Sequence, residues 1–175
     1  MDRSPQIFQI VGFQNSGKTT VIQEFIRYCT HHNLTVGTIK HHGHGGTPST
    51  TNDLKDTDKH RIAGSMLTAV EGNGALLLQN RDLKWTIQDI LKIYELLPLD
   101  LILLEGYKYE PYPKAVIIRN KEDTKLLSKL NNIQAVLTWI PLENFQLYPV
   151  FPIKEYKIFH EWLFEFLSNK RLDKK

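Results

Sequence analysis

Residues 12–19 read Gly12-Phe13-Gln14-Asn15-Ser16-Gly17-Lys18-Thr19, and Thr20 follows. The spacing is G-x-x-x-x-G-K-T, a full Walker A phosphate loop. Its context fits as well, because the apolar run Ile7 to Val11 lies directly in front of it and an amphipathic stretch directly behind. Gly12 and Gly17 let the backbone curl, so that successive N–H groups along Gln14, Asn15 and Ser16 converge on phosphate oxygens. The start of a helix near Lys18 continues that anion nest. Lys18 supplies a point charge for β and γ phosphates, and the Thr19 hydroxyl is the expected Mg²⁺ ligand. A glycine-rich structural turn is the competing reading, and the strand before and the helix after count against it. The loop implies a nucleoside triphosphate.

The rest of the chain fits one compact domain over residues 1–169 with a basic tail at 170–175. A length of 175 residues with 41% hydrophobic side chains is enough to bury a full core. The single cysteine, Cys29, excludes a disulfide framework and zinc held on cysteines. It shares the inner spacing of the first helix with Val21, Ile22, Phe25 and Ile26, the pattern of a small buried hydrophobe. The first eleven residues hold no apolar stretch long enough for a signal sequence, and the longest aliphatic runs are too short to span a bilayer. The expected setting is the cytoplasm, away from membranes. A net charge of +3, with lysines spread along the chain except in the tail Lys170 to Lys175, is weak evidence for nucleic acid and is explained as well by binding of polyanionic nucleotides or by a solvated tail; no nucleic-acid partner is expected.

Strands and helices alternate outward from the loop. Ile7 to Val11 reads as a strand, Lys18 to Thr30 as a helix and Leu34 to Lys40 as a second strand. A polar, glycine-rich stretch from His41 to Leu54 follows, too long for a simple connector. Helix is expected at Thr57 to Met66 and strand at Ala75 to Gln79, and Thr86 reads as the N-cap of a helix Ile87 to Leu97. Leu99 to Leu104 is a near-continuous aliphatic run, as a central parallel strand covered on both faces should be. Ala115 to Arg119 and Ile133 to Trp139 are further strands, and Tyr156 to Leu167 is a closing helix. Its Ile158, Phe159, Trp162, Leu163 and Phe166 recur at helical spacing as core residues. The pattern predicts an α/β fold, a P-loop NTPase with a doubly wound, mostly parallel sheet and helices on both faces. Ligands of such sheets sit beyond the carboxyl ends of the strands.

Three further stretches carry chemistry. Leu101 to Lys108 reads L-I-L-L-E-G-Y-K, four aliphatic residues and an acid in the Walker B manner, which places Glu105 as the partner of Thr19 at Mg²⁺. The alternative is an acid that merely ends a buried strand. Asp56 to Ser65 reads D-T-D-K-H-R-I-A-G-S: Asp56 and Asp58 either cap a helix and pair with Arg61, or Asp56 and Arg61 respond to the γ phosphate and Mg²⁺ as a switch does. Chemistry alone leaves these two open. Asn120 to Asp123 reads N-K-E-D, matching the N-K-x-D signature by which many GTPases read guanine through the aspartate; a solvated turn with Asp123 as N-cap is the alternative. His31, His32, His41, His42, His44 and His60 invite a zinc reading, though contact of Lys40 and the histidine loop with a phosphate group fits better.

The order G-F-Q-N-S-G-K-T-T, V-G-T-I-K-H-H, D-T-D-K-H-R-I-A-G, L-I-L-L-E-G-Y-K resembles the MobB family, the GTP-binding proteins of molybdopterin guanine dinucleotide biosynthesis. The resemblance runs from about residue 6 to 165. It implies a homodimeric P-loop protein that binds GTP with Mg²⁺, hydrolyses it slowly and acts as adaptor for the nucleotidyltransferase that joins GMP to molybdopterin, the molybdenum cofactor guanylyltransferase. By position, Asn15 to Thr20 would hold phosphates, and Thr19 and Glu105 the metal. Lys40 and His41 would close the second strand at the site, and Asp56, His60 and Arg61 would form a switch-like element, with Asp56 a third candidate for the metal and, beside Lys18 and Glu105, for catalysis. Asp58 matches no fixed position and is expected at the surface. A small-molecule kinase on the same scaffold is the alternative, but it needs a lid with arginines over the γ phosphate, and arginine is scarce here. A regulatory module that binds nucleotide without turnover is a third class.

Overall fold

The computed structural model describes residues 4–41, 55–142 and 147–172. The polar loop beyond His41, with His42, His44 and its glycines, and the last residues of the basic tail lie outside them. By internal contacts the chain divides into two compact units: Met1–Gly43 with Leu97–Lys175, and His44–Leu96.

The larger unit is built on six strands: β1 (Gln6–Gly12), β2 (Val36–Lys40), β5 (Leu101–Glu105), β6 (Lys114–Ile118), β7 (Ile133–Thr138) and β8 (Val150–Pro152). They lie in the order β2-β5-β1-β6-β7-β8, and every pairing is parallel. As the aliphatic run predicts, β5 is interior, with Leu101 to Leu104 at most 1% exposed. Side-chain alternation sends Phe8, Ile10, Leu101 and Leu103 to one face, where α1 (Lys18–His31) and α5 (Tyr156–Leu172) close the core through Phe25, Cys29, Phe159 and Leu163. Val11, Val116 and Val136 face the other side, under Leu126 and Leu130 of the segment that holds α4 (Lys125–Lys129). Helices thus cover both faces of a parallel sheet. On α5, Trp162 and Phe166 pack against the core as expected, whereas Ile158 is 52% exposed, because it stands one position off the face that Phe159 and Leu163 bury.

The smaller unit contains α2 (Lys55–Ile62), the antiparallel pair β3 (Leu67–Gly72) and β4 (Ala75–Asn80), and α3 (Ile87–Tyr94). Asn73 and Gly74, at φ 49° and 77°, form the two-residue turn of this hairpin. Strand β3 is absent from the sequence reading, which ran helix to Met66. At α3 the predicted cap forms as a reciprocal box: Thr86 Oγ1 accepts from the Asp89 amide at 3.1 Å, and the Asp89 carboxylate accepts from the Thr86 amide at 3.0 Å. Strand β8 is also absent from the sequence reading, since three residues ending in proline carry no periodicity.

His160 lies inside the α5 contact with α1, 2% exposed, ringed by Phe25, Tyr28, Tyr156 and Phe159. Burial pushes its pKa down to about 4, opposed by a bond to the backbone of Val21, and its Nε2 has no hydrogen-bond partner. The unfolded chain takes up this proton near the ordinary 6.5 and the folded chain only near 4, so stability is full above pH 6.5 and falls as pH drops through that window. The loss reaches about 3 kcal/mol by pH 4 if His160 dominates. Urea midpoints at pH 7.5 and 4.5 check it: His160→Phe is expected to flatten the difference.

Candidate functional site

The phosphate loop follows β1 at the carboxyl edge of the sheet, where β2 and β5 also end. Gly12 is required by close approach, since a Cβ there would sit 2.7 Å from Ser16 Oγ and 3.1 Å from the Ile117 carbonyl. Gly17, at φ 96°, is the N-cap of α1 and offers no side chain to its first turn. That turn also holds no acid, so the helix start is left to an anion. Asn15 is left-handed at φ 56°, which asparagine tolerates better than most residues. Ser16 is buried, whereas Gln14, Asn15, Thr19 and Thr20 face solvent.

Lys18 is folded over the loop, its Nζ donating to the Phe13 carbonyl at 2.6 Å. Its pKa is held below the usual lysine value by burial, with Lys108 and Lys40 adding repulsion and Glu105 opposing. The register Lys40↔Glu105 sets the ends of β2 and β5 side by side. Thr19 Oγ1 donates to Glu105 Oε1 at 2.9 Å, and Lys40 Nζ reaches the same oxygen at 3.1 Å and Thr19 Oγ1 at 3.4 Å. Adjacent ligand oxygens of an octahedral Mg²⁺ shell stand about 3 Å apart. The Thr19 and Glu105 oxygens meet that spacing, are hard donors and leave most of a shell to phosphate and water, so the residues fit Mg²⁺. Among the described residues no group of three or more histidine, cysteine, aspartate or glutamate side chains could hold a metal.

Two left-handed residues in succession, Gly106 at φ 89° and Tyr107 at φ 53°, turn the chain after Glu105. Gln9, fully buried on β1, pins this turn by donating from Nε2 to the Tyr107 carbonyl at 2.8 Å. The His41 amide donates to the Glu105 carbonyl at 2.9 Å, and its ring lies 4.7 Å from that of Tyr107. Glu105 is thereby fixed from three sides: by β2, by the phosphate loop and by the turn behind it.

The other sequence candidates are engaged in contacts of their own. Asp123 is 6% exposed and its carboxylate accepts the Arg119 amide at 2.9 Å, while the Asn120 side chain accepts the Asp123 amide at 3.2 Å. Both signature side chains close their own turn, and the N-cap is Asn120, heading a 3₁₀ turn at Lys121–Thr124, in place of the expected Asp123. Asp56 and Arg61 lie on α2 in the smaller unit, where Lys59 Nζ is 2.8 Å from Asp56 and Arg61 is 2.7 Å from Asp58.

Sequence reasoning missed Trp139 and Arg119. Trp139 follows β7, packs beside Gly17 and donates from Nε1 to the Ser16 carbonyl at 2.9 Å. Arg119 follows β6 and donates to the Asn15 carbonyl at 3.4 Å. Both brace the loop from outside, and only the strand order brings them there. An indole bonded to the loop reports on it: nucleotide is expected to change tryptophan fluorescence, and Trp139→Phe, which keeps Trp85 and Trp162, to abolish most of the change.

Comparisons with known proteins bear on the family and the fold. The family model described as molybdopterin guanine dinucleotide synthesis protein B matches residues 7–139. The chain is 45% identical over 130 residues to a probable molybdopterin-guanine dinucleotide biosynthesis adapter protein of Bacillus subtilis, covering 74% of this chain and 75% of that one. It is similar to the crystal structure of a MobB homologue from Bacillus stearothermophilus, with TM-score 0.73, 36% identity and 93% and 98% of the two chains covered. The crystal structure of Bacillus subtilis MobB gives TM-score 0.73 at 38% identity over 91% and 96%. With a family match over most of its length, a parallel P-loop sheet, and Lys40 and Glu105 meeting at Thr19, the chain belongs to the MobB family.

Proposed function

We propose that this chain binds GTP with Mg²⁺ at the phosphate loop and acts as a nucleotide-dependent adaptor for the nucleotidyltransferase that joins GMP to molybdopterin. The observation that carries the reading is the meeting of Lys18, Thr19, Lys40 and Glu105 at the ends of three parallel strands. The loop amides and the start of α1 hold phosphate oxygens, Lys18 leaves the Phe13 carbonyl for the β and γ phosphates, and Lys40 offers a second cation near them. Thr19 and Glu105 would hold Mg²⁺, which when bound neutralises charge on the β and γ phosphates. His41 borders this edge, and Asp56 and Arg61 supply a segment responsive to the γ phosphate. Asp123 we assign to its turn, because a buried carboxylate already accepting an amide is poorly placed to read a base.

Hydrolysis is slow in this reading. Among the described residues Arg27, Arg61 and Arg81 are paired with acids, and Arg119 braces the loop from behind. An arginine positioned on the transition state is the largest accelerator in such sites. The protein is taken to work in the cytoplasm as a homodimer; among the described residues no helix is long and apolar enough to cross a membrane. The test is the rate of GMP transfer to molybdopterin by the purified nucleotidyltransferase. Wild-type protein with GTP is expected to raise it; an identical rate with and without the protein would contradict the adaptor role.

A further inference from the structure

Phe13, the first variable residue of the phosphate loop, is half-buried against the core cluster of Val11 and Val116. Over its ring stand two cations from distant segments: Lys108 Nζ at 4.6 Å from the centroid and Lys125 Nζ at 5.2 Å. The two ammonium groups are therefore less than 10 Å apart. Among the described residues neither is in a salt bridge with a carboxylate. The ring face offsets part of their repulsion. Lys108 is aimed there by the left-handed pair Gly106 and Tyr107, a costly conformation for tyrosine that the buried Gln9 amide holds in place.

We infer that Lys108 and Lys125 across Phe13 form a second anion site beside the phosphate loop, one that takes the phosphate ester end of a pterin. Two ammonium groups less than 10 Å apart, neither in a salt bridge among the described residues, suit a dianion better than a single charge. A dinucleotide of a pterin and guanine is joined through phosphates, so the pterin half enters as a phosphate ester. It needs cations of its own while the loop holds the nucleotide. The inference rests on the nucleotide-dependent role proposed above and adds where the second reactant's phosphate docks. The competing source of the same chemistry is the terminal phosphate of the nucleotide itself.

Calorimetric titration with neopterin monophosphate as probe separates the two. The probe is expected to bind protein already saturated with Mg²⁺ and a non-hydrolysable GTP analogue, and neopterin without phosphate is expected not to. Lys108→Gln combined with Lys125→Gln should weaken probe binding by about tenfold or more while the analogue's affinity stays within about twofold. Two results overturn the inference: no probe binding to protein that does bind the analogue, or a double variant that loses affinity for the analogue along with the probe. Failure of the analogue to bind would strike the nucleotide reading instead. The probe is then titrated into nucleotide-free protein, where binding that the double variant loses supports the site and no binding overturns it.

Discussion

Lys18→Ala is expected to weaken binding of GTP with Mg²⁺ by on the order of a hundredfold, about 3 kcal/mol, while leaving the fold in place. The ammonium group is half-buried in the loop; its short protein hydrogen bond through Nζ, at 2.6 Å, goes to the Phe13 carbonyl, with Ser16 Oγ farther off at 3.5 Å. Losing that bond costs the unliganded protein about 1 kcal/mol, because the carbonyl is left near solvent and Asn15, Gly17 and the α1 start keep their shape without it. The complex loses a charge-assisted bond to phosphate in a partly desolvated loop, which is worth far more. Titration calorimetry reads the affinity and circular dichroism the fold. Unchanged affinity in a native variant would remove the phosphate loop from the account.

Glu105→Gln is expected to act through magnesium. The carboxylate accepts the Thr19 hydroxyl and pairs with Lys40, so glutamine at this position keeps an oxygen for Thr19 but surrenders the charge. Without Mg²⁺, GTP affinity should hold or improve, since a negative charge beside the triphosphate is gone. With Mg²⁺, the gain that the metal brings should shrink, and single-turnover hydrolysis should fall by about 10- to 100-fold. The difference in sign between the two titrations sets a metal ligand apart from a structural acid. A variant equally weakened with and without Mg²⁺ would assign Glu105 to the end of β5 and nothing more.

What could be read from the chain beforehand followed from how local each signal is. The phosphate loop and the L-I-L-L-E run are contiguous patterns whose spacing is dictated by the phosphates and by a strand buried on both faces. From them Lys18, Thr19 and Glu105 can be named without coordinates. The Thr86 box is equally local. The Asn73-Gly74 turn is local too, and its dipeptide announces a hairpin, yet strand β3 escaped notice because L-T-A-V-E-G buries only Thr68 and so lacks a strong alternating apolar face. The N-K-E-D match shows the opposite failing: the spacing is right, but the side chains of Asn120 and Asp123 are consumed by amides of their own turn. Trp139, Arg119 and Lys125 have no sequence signature, and Lys108, though it closes the L-I-L-L-E-G-Y-K run, has none that aims it at Phe13, since all four meet the loop only through the order β5-β1-β6-β7. His160 is equally silent, a histidine among aromatics whose isolation appears only when α5 lies on α1.

The central claim is that this strand edge holds a guanine nucleotide through a loop and a metal. Calorimetric titration of the purified protein with GTP and with ATP, each with and without Mg²⁺, addresses it most directly. Preference for GTP that strengthens with Mg²⁺ is the predicted result; equal binding of the two nucleotides, a preference for ATP, or indifference to the metal would contradict it.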